Sequence, residues 1–336
     1  MPARWLQRQW FEQRRLSPAL WLLLPVFLPL NWLFVGLAWL ARRRAKTQRL
    51  PVPVIVVGNI TVGGAGKTPL TIHLAAALRE RGWRPGIVSR GYGGENSRPR
   101  PVGRDSSPAE VGDEPILLAR RSGVSVWVGR DRAAAGRALL EAQHEVNIIL
   151  CDDGLQHYRL GRDVELAVFD GRGAGNGWRL PLGPLREPLA RLLEVDAVIC
   201  NGLPDSRLPP AVPCFAMSLR PGPFWRLDNP QQRCSAVDLA GNKLYALAGI
   251  GDPGRFFRTL EGLSLQFAAH PFPDHHAYVA ADLAFAADGI LLMTEKDAVK
   301  CAGLTAGETW VLPVEAELPP ALIDLVVEKL RGRPTA

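Results

Sequence analysis

A glycine-rich segment that ends in lysine and threonine has the composition of a phosphate-binding loop. It runs from Thr61 to Thr68 as Thr-Val-Gly-Gly-Ala-Gly-Lys-Thr and follows the apolar run Val52–Gly58. Glycines let backbone N–H groups approach phosphate oxygens, and the start of a following helix adds partial positive charge. In such a loop Lys67 contacts the β- and γ-phosphates, and the Thr68 hydroxyl binds Mg²⁺. The predicted nucleotide-binding residues are Thr61, Val62, Gly63, Gly64, Ala65, Gly66, Lys67 and Thr68.

This loop departs from the known nucleotide-binding patterns at two positions. The standard pattern has glycine five positions before Gly66, where this chain has Thr61, and regulatory dimeric ATPases have lysine in place of Val62. The strand before the loop and the helix after it still favour a nucleotide site over a structural turn. The segment Thr294–Asp297 has the wrong spacing for a guanine-recognition motif. The sequence therefore predicts ATP rather than GTP.

A second segment, which ends in two aspartates, supplies candidate ligands for Mg²⁺. Asn147–Asp153 is an apolar run that ends in two adjacent aspartates, as a Walker B strand does. A single aspartate at the end of a strand usually caps a helix or forms a turn. The combination with Lys67 and Thr68 instead favours a metal site in which Asp152 or Asp153 holds the ion, directly or through water.

The positive charge is concentrated at the N-terminus. The chain of 336 residues has a net charge of +7, yet residues 51–336 carry 31 basic and 32 acidic side chains. A nucleic-acid-binding domain would spread its positive charge over the folded surface. We therefore expect no nucleic-acid partner. The five cysteines are scattered without a CxxC pair, which argues against a structural zinc site.

The N-terminal region predicts membrane association. Residues 16–41 form a run of 26 residues without a charged side chain, rich in tryptophan and flanked by basic residues. Such a run is long enough to cross a bilayer, and a cleaved signal peptide fits it less well. Prolines within the run also permit a helix that lies in one leaflet, so both arrangements remain open. The expected location is the anionic inner leaflet of the cytoplasmic membrane, with the catalytic domains on the cytoplasmic face.

The remaining chain alternates strand-like and helical patterns, which predicts an α/β fold with a mainly parallel sheet. We expect a membrane anchor at 1–50, a P-loop NTPase-like core domain at 51–205, a linker at 206–240 and a smaller C-terminal α/β domain at 241–336. The predicted strands are 52–58, 86–89, 125–128, 146–151, 165–169, 197–200, 244–248, 263–267, 289–293 and 310–314. Helices are predicted at 67–81 and 319–331.

Several sequence blocks, in this order, resemble one family, the tetraacyldisaccharide 4′-kinases or lipid A 4′-kinases of Gram-negative bacteria. The blocks are GNITVGGAGKTP (58–69), SRGYGG (89–94), VGDEP (111–115), VGRDR (128–132), DDGLQHYRL (152–160), GNGWRLPLGPLREP (175–188), FPDHHAY (272–278) and TEKDAVK (294–300). Together with the apolar anchor they cover nearly the whole chain. One departure is Ala65, where many members have threonine; the cradle is made by backbone amides, so this changes little.

The resemblance implies transfer of the γ-phosphoryl group of ATP to the 4′-hydroxyl of a tetraacylated glucosamine disaccharide 1-phosphate. It also implies a cleft between the two domains at the membrane face. It assigns the role of general base to Asp113, supported by His275, whereas the residues alone would make Asp113 a helix start. Arg186 is implied to clamp phosphate and Glu187 to contact a second Mg²⁺.

The resemblance also marks weaker candidates around the same site. Arg90, Arg130 and Arg172 are candidates for contact with phosphate or sugar, because arginine binds both through two parallel hydrogen bonds. Gln156 and His157 are candidates for positioning the nucleotide or metal.

Two other functions compete with the kinase. A membrane-bound regulatory ATPase would use hydrolysis to switch partners, but this chain has Val62 at the position where that class has lysine. A structural anchor with a degenerate loop conflicts with the intact Lys67, Thr68, Asp152 and Asp153.

Overall fold

The computed structural model of the chain describes residues 2–12, 15–92, 94, 98–103, 105–305 and 307–331. Arg14 of the basic N-terminal region and Gly93 of the SRGYGG block lie outside these residues. The helices are α1 Pro2–Phe11, α2 Pro18–Leu22, α3 Leu24–Arg44, α4 Lys67–Glu80, α5 Pro108–Val111, α6 Asp113–Ser122, α7 Arg132–Ala142, α8 Ala236–Leu239, α9 Pro253–Gly262, α10 Glu295–Cys301 and α11 Pro320–Arg331. Two 3₁₀ helices cover Leu189–Glu194 and Ala280–Ala286.

The strands fall into two sheets. They are β1 Val54–Gly58, β2 Pro85–Ser89, β3 Arg100–Pro101, β4 Val126–Val128, β5 Ile148–Asp152, β6 Val164–Asp170, β7 Ala197–Asn201, β8 Cys214–Pro221, β9 Phe224–Arg226, β10 Arg233–Cys234, β11 Leu244–Ala248, β12 Ala268–Pro271, β13 Ile290–Thr294, β14 Thr309–Leu312 and β15 Val314–Glu317. Within the described ranges the first sheet has the order β15-β8-β7-β6-β1-β5-β2-β4-β3, and the second has β10-β9-β14-β13-β11-β12.

The first sheet and its helices form the core domain. The strands from β8 to β4 run parallel, and the short edge strands β3 and β15 are antiparallel to their neighbours. The strands β1, β5 and β6 are buried along their whole length, because helices cover both faces of the sheet. One face packs against α4, α6 and α11, and the other against α7 and the segments around Leu155 and Leu192. The predicted P-loop α/β core is confirmed.

The second sheet forms a smaller domain, which we define as residues 224–312. Strands β14, β13, β11 and β12 are parallel, and the short strands β9 and β10 add an antiparallel edge. Two apolar clusters, one around Phe224 and Phe256 and one around Tyr278 and Met293, fill its two faces. The predicted second, smaller α/β unit is therefore also confirmed.

The structure differs from the predicted domain boundaries in two places. Residues 206–240, predicted as a linker, contain β8 of the core sheet and both antiparallel strands of the smaller sheet. At the other end, β15 pairs with β8, and α11 packs against the core domain rather than the smaller one. The smaller domain is thus inserted into the core domain between β8 and β15. These strands lie in proline-rich, weakly apolar segments, so the sequence pattern did not indicate them.

The strand predicted at 263–267 is wrong, because the strand lies at Ala268–Pro271 instead. The backbone amides of Leu263 and Leu265 donate to carbonyl groups in the last turn of α9. Ser264 between them adopts a left-handed conformation with φ +61°. These residues terminate the helix and cannot pair with a neighbouring strand at the same time.

The N-terminal helices rest on the core domain and leave an apolar face uncovered. Near the middle of α3, the Asn31 Nδ2 donates to the carbonyl oxygens of Arg179 and Leu180 at 2.6 and 2.9 Å. At its end Arg42 forms an ion pair with Glu194. The rest of α3 is largely exposed, and its mean hydropathy is 1.8 in the most apolar window. By length and composition it is the one helix among the described residues that could cross a membrane.

Candidate active site

The predicted phosphate-binding loop joins β1 to α4. Gly63 and Gly66 adopt φ values of +98° and +96°, a region that glycine enters without steric cost. Gly66 directly precedes α4, so Lys67 and Thr68 form the first turn and the N-terminus of the helix opens into the loop. The local structure is therefore that of an anion-binding helix start.

Lys67 lies against the strand-end acid Asp153. Its Nζ is 3.3 Å from Asp153 Oδ1 and 3.4 Å from Asn59 Oδ1. Arg186 approaches the same Asp153 oxygen at 3.5 Å. Both cations lower the pKa of Asp153 and outweigh the burial that opposes this shift. The structure thus brings together three of the predicted site residues, Lys67, Asp153 and Arg186.

Asp152 lies deeper than Asp153 and has a different environment. Its Oδ1 accepts a hydrogen bond from Thr71 Oγ1 at 3.1 Å, whereas its Oδ2 is buried with no hydrogen-bond partner among the described residues. Burial, with the negative charges of Glu114 and Asp153, raises the pKa of Asp152 to about 7. A buried carboxylate oxygen without a donor is a suitable ligand for a hard cation.

Glu187 lies next to these residues, but its carboxylate is hydrogen-bonded to two other side chains. One oxygen accepts from Gln156 Nε2 at 3.2 Å, and the other accepts from the Tyr158 hydroxyl. Gln156 also donates to the backbone carbonyl of Asn59. The predicted contact of Glu187 with a second Mg²⁺ stays a prediction.

Asp113 and His275 meet across the two domains. His275 Nδ1 lies 3.1 Å from Asp113 Oδ2, and the other Asp113 oxygen accepts from the backbone N–H of Glu114. Asp113 is 5% exposed at the N-terminus of α6. Gly112 before it has φ +87°, and a Cβ there would lie 2.5 Å from the Tyr92 carbonyl oxygen. Glycine is therefore required at this point to bring Asp113 to His275.

The two partners shift each other's protonation in opposite directions. Burial alone would raise the pKa of Asp113, but the hydrogen bond from His275 and the charges of Lys296 and Lys300 lower it to about 2. The hydrogen bond to Asp113 raises the pKa of His275 above its ordinary value, against burial. His275 also adopts a left-handed backbone conformation, φ +58°, which is uncommon for a residue with a side chain. Strain of this kind concentrates at functional sites.

A cavity of about 1150 Å³ lies between the two domains and connects these groups. The loop residues 63–68 form one wall, His275 and Lys296 of the smaller domain form another, and the end of α3 reaches the rim. Asp153, Arg186 and Glu187 also line it. The cavity therefore has room for a nucleotide and part of a second substrate.

The weaker candidates are distributed unevenly around this cavity. Arg90, Gln156 and His157 line it, whereas Arg130 is exposed outside it. Arg172 is held by Asp170, and its guanidinium lies against Gly63 of the loop.

His157 is neutral and has a structural contact. Burial, with the positive charge of Arg132, lowers the pKa of His157 to about 4. Its Nε2 accepts a hydrogen bond from the Arg132 backbone N–H at 3.2 Å, at the start of α7.

Sequence reasoning missed three side chains that contact the predicted residues. Asn59 bonds to Lys67, Tyr158 bonds to Glu187, and Lys296 forms an ion pair with Glu114 beside Asp113. Asn59 could have been found, because it follows β1 at the start of the phosphate-binding loop. Tyr158 and Lys296 lie within the blocks DDGLQHYRL and TEKDAVK, but their contacts with Glu187 and Glu114 are set by the fold.

Comparison with known proteins points to one family. The family model described as tetraacyldisaccharide-1-P 4′-kinase matches residues 20–331. The chain is 71% identical over 337 residues to the tetraacyldisaccharide 4′-kinase of Dechloromonas aromatica, covering 100% of both chains. It is 48% identical to that of Methylobacillus flagellatus, over 98% of this chain and 96% of the relative.

A solved structure shares the fold. It is the crystal structure of LpxK from Aquifex aeolicus in complex with ATP, with a TM-score of 0.73 and 28% sequence identity. The likeness covers 90% of this chain and 99% of that one.

Proposed function

The chain belongs to the tetraacyldisaccharide 4′-kinase family, and we propose that its catalytic centre is the cavity between the two domains. The enzyme transfers the γ-phosphoryl group of ATP to the 4′-hydroxyl of a tetraacyl disaccharide 1-phosphate, a step of lipid A biosynthesis. One observation carries the proposed location. The phosphate-binding loop lines the same cavity as His275, and His275 binds Asp113 of the core domain.

The cationic side of the cavity binds the nucleotide. The backbone N–H groups of Gly63–Gly66 and the N-terminus of α4 face the phosphates, and Lys67 and Arg186 neutralise the charge on the transferred group. Both cations lie on Asp153 in the structure, so Asp153 fixes their positions. Charge fixed in place before the reaction stabilises the transition state without reorganisation.

Asp113 accepts the proton of the attacking hydroxyl. Phosphoryl transfer requires a hydroxyl group in line with the leaving group and a base that takes its proton as the new bond forms. The low pKa of Asp113 keeps it ionised, and His275 fixes its orientation. Because His275 belongs to the smaller domain, the pair forms when the two domains are closed.

The strand-end acids suit a divalent cation. Mg²⁺ in kinases is usually held by one or two carboxylates together with the substrate phosphates. The buried, unpartnered Oδ2 of Asp152 fits such an ion, and Asp152, Asp153 and Thr68 would hold it. When bound, the ion would neutralise negative charge on the phosphates. In the part of the chain described, no group of three or more His, Cys, Asp or Glu side chains is arranged to hold a metal ion.

We propose that the N-terminal helices hold the cavity at the surface of the cytoplasmic membrane. A helix that crossed the bilayer would carry Asn31, in the first half of the 21-residue helix α3, into the hydrocarbon core, yet Asn31 is bound to backbone carbonyls of the core domain. The side that faces away from the protein exposes Val26, Leu33 and Leu37. This geometry supports a helix that lies in one leaflet, with the basic residues at its end near anionic headgroups.

Replacing Val26, Leu33 and Leu37 together by serine is expected to release the enzyme from membranes. Each buried apolar side chain contributes about 1.5–3 kcal/mol, so the three together should weaken vesicle binding by about 10³–10⁶-fold. Co-sedimentation with vesicles of phosphatidylethanolamine and phosphatidylglycerol measures this. Added salt should weaken binding of the unmodified enzyme only in part, because the apolar contact remains. Leu203 and Val237, exposed elsewhere, serve as the control pair; equal loss on their replacement would contradict the assigned face.

The function is tested by incubating the purified enzyme with γ-labelled ATP, Mg²⁺ and detergent-dispersed disaccharide 1-phosphate lipid. Label is expected in the lipid, dependent on both ATP and the lipid acceptor. Label found only in free phosphate would support a regulatory ATPase and overturn the kinase. The same assay reports on every active-site variant described below.

A further inference from the structure

Five ionisable side chains from both domains meet at the junction of α6, α10 and the segment 272–278. Asp113 and Glu114 come from the core domain, and Asp274, His275 and Lys296 come from the smaller domain. Lys296 Nζ lies 2.7 Å from Glu114 Oε1, and the Lys296 side chain is 19% exposed. His275 binds Asp113 directly beside this ion pair. Two contacts between the domains thus lie on adjacent residues of α6.

Lys296 supplies positive charge to a cluster in which carboxylates outnumber the positive groups. Three carboxylates, those of Asp113, Glu114 and Asp274, meet two groups that can be positive, Lys296 and His275. The attraction of these three carboxylates, Glu114 foremost, raises the pKa of Lys296 against its burial, so Lys296 remains charged. Without this charge, closure would bring the Asp274 carboxylate toward the two acids of α6, with the His275 imidazole and Lys300 of α10 as the opposing groups. Like charges that meet in a partly buried site repel one another strongly.

We propose that Lys296 is a positioning residue for phosphoryl transfer, which holds the smaller domain on α6 so that His275 reaches Asp113 and the Asp113 carboxylate stays ionised. The inference rests on the proposed role of Asp113 as the base. Lys296 acts through neighbouring groups, since its ammonium is bound to Glu114. It is separate from the phosphate-binding cations Lys67 and Arg186.

The charge of Lys296 acts on both members of the pair in the same direction. Lys296 lowers the pKa of Asp113 and also lowers that of His275. The other charged groups around the pair are Asp274 on the same segment as His275, Glu114 on α6 and Lys300 on α10. Removing the Lys296 charge therefore raises both pKa values, and the pH profile of kcat/KM moves to higher pH whichever group sets it. Removing the Glu114 charge moves the profile to lower pH.

Three variants of the full chain test this in the lipid phosphorylation assay. Lys296→Met should reduce kcat/KM by at least about 30-fold, the lower limit for loss of one partner of a buried charge pair, and should move the pH profile upward. Lys296→Arg keeps the charge and should recover activity to within about threefold. Glu114→Gln keeps Lys296 charged and should move the profile downward.

A neighbouring ion pair provides the matched control. Arg121 of α6 binds Glu295 of α10, so this pair also joins the two domains, but it lies away from Asp113. The double variant Arg121→Met with Glu295→Gln removes that contact and should leave the pH profile in place. If Lys296→Met loses no more activity than this control, or if its pH profile of kcat/KM does not move, Lys296 is an ordinary contact between the domains and the inference is overturned.

The outcomes separate this inference from the proposed function. A fully active Asp113→Asn variant would remove the proposed base, and the inference with it. An inactive Asp113→Asn variant together with an unshifted Lys296→Met variant would overturn Lys296 alone. Thermal midpoints identify any variant that does not fold; should Lys296→Met be one, the direction of the Glu114→Gln shift decides, and an upward or absent shift overturns the inference.

Discussion

Replacing Asp113 by asparagine is expected to reduce phosphoryl transfer to the lipid by about 10²–10⁴-fold, the range for loss of a general base. The amide has the size of the carboxylate and can still accept the hydrogen bond from the Glu114 N–H. It cannot take a proton from the attacking hydroxyl group. ATP binding should remain within a few-fold of the unmodified enzyme, because Asp113 contacts His275 rather than the phosphate-binding loop.

The same variant changes the protonation of His275 in a predictable direction. The pKa of His275 is raised chiefly by its hydrogen bond to Asp113, so it should fall when the carboxylate is replaced by a neutral amide. An NMR titration of the imidazole signals measures this shift. Loss of ATP binding, or an unchanged His275 pKa with full activity, would contradict the assignment of Asp113 as the base. His144→Gln is the control that identifies a histidine signal outside the site.

The second large effect is expected from Lys67→Met. Lys67 is the cation at the mouth of the phosphate-binding loop, 11% exposed and bound to Asp153. Its loss removes charge from the transferred phosphoryl group and should lower kcat/KM by about 10²–10³-fold. ATP binding should weaken at the same time, in contrast to Asp113→Asn. Equilibrium binding of ATP, measured by calorimetry beside the transfer assay, distinguishes the two variants.

Lys67→Met also removes one of the three cations, Lys67, Arg186 and Arg132, that lower the pKa of Asp153. Arg186 stays in place, so the carboxylate remains partly compensated. The control is Lys243→Met, on the surface of the smaller domain, where the lysine pairs with Asp288. That variant should behave as the unmodified enzyme. Normal ATP binding by Lys67→Met would show that the loop does not bind the triphosphate as proposed.

The local parts of this site could be predicted from the sequence, because their residues lie within short segments. Gly63, Gly66 and Lys67 are fixed by one strand–loop–helix unit, and Asp153 follows a neighbouring strand. Parallel strands bring their carboxyl ends to one edge of a sheet, so Lys67 and Asp153 must meet there. In the structure, Lys67 Nζ lies 3.3 Å from Asp153 Oδ1.

The parts that join the two domains could not be derived from pattern alone. Asp113 and His275 are 162 positions apart, and only the family resemblance paired them before the fold was known. Lys296 lies in a segment noted for its failure to match a guanine motif, and its contact with Glu114 depends on how α10 packs on α6. Such contacts are set by tertiary packing, for which spacing in the sequence gives no signal.

The position of β15 and α11 has a consequence for how the protein is made. These last elements close the core domain: β15 pairs with β8, and Leu322, Val326 and Leu330 of α11 fill its apolar core. Domains generally fold as they leave the ribosome, N-terminal first. Here the inserted smaller domain, residues 224–312, is synthesised whole before the core domain receives its final strand and helix. A nascent chain therefore completes its smaller domain before its nucleotide-binding domain receives the strand and helix that close it.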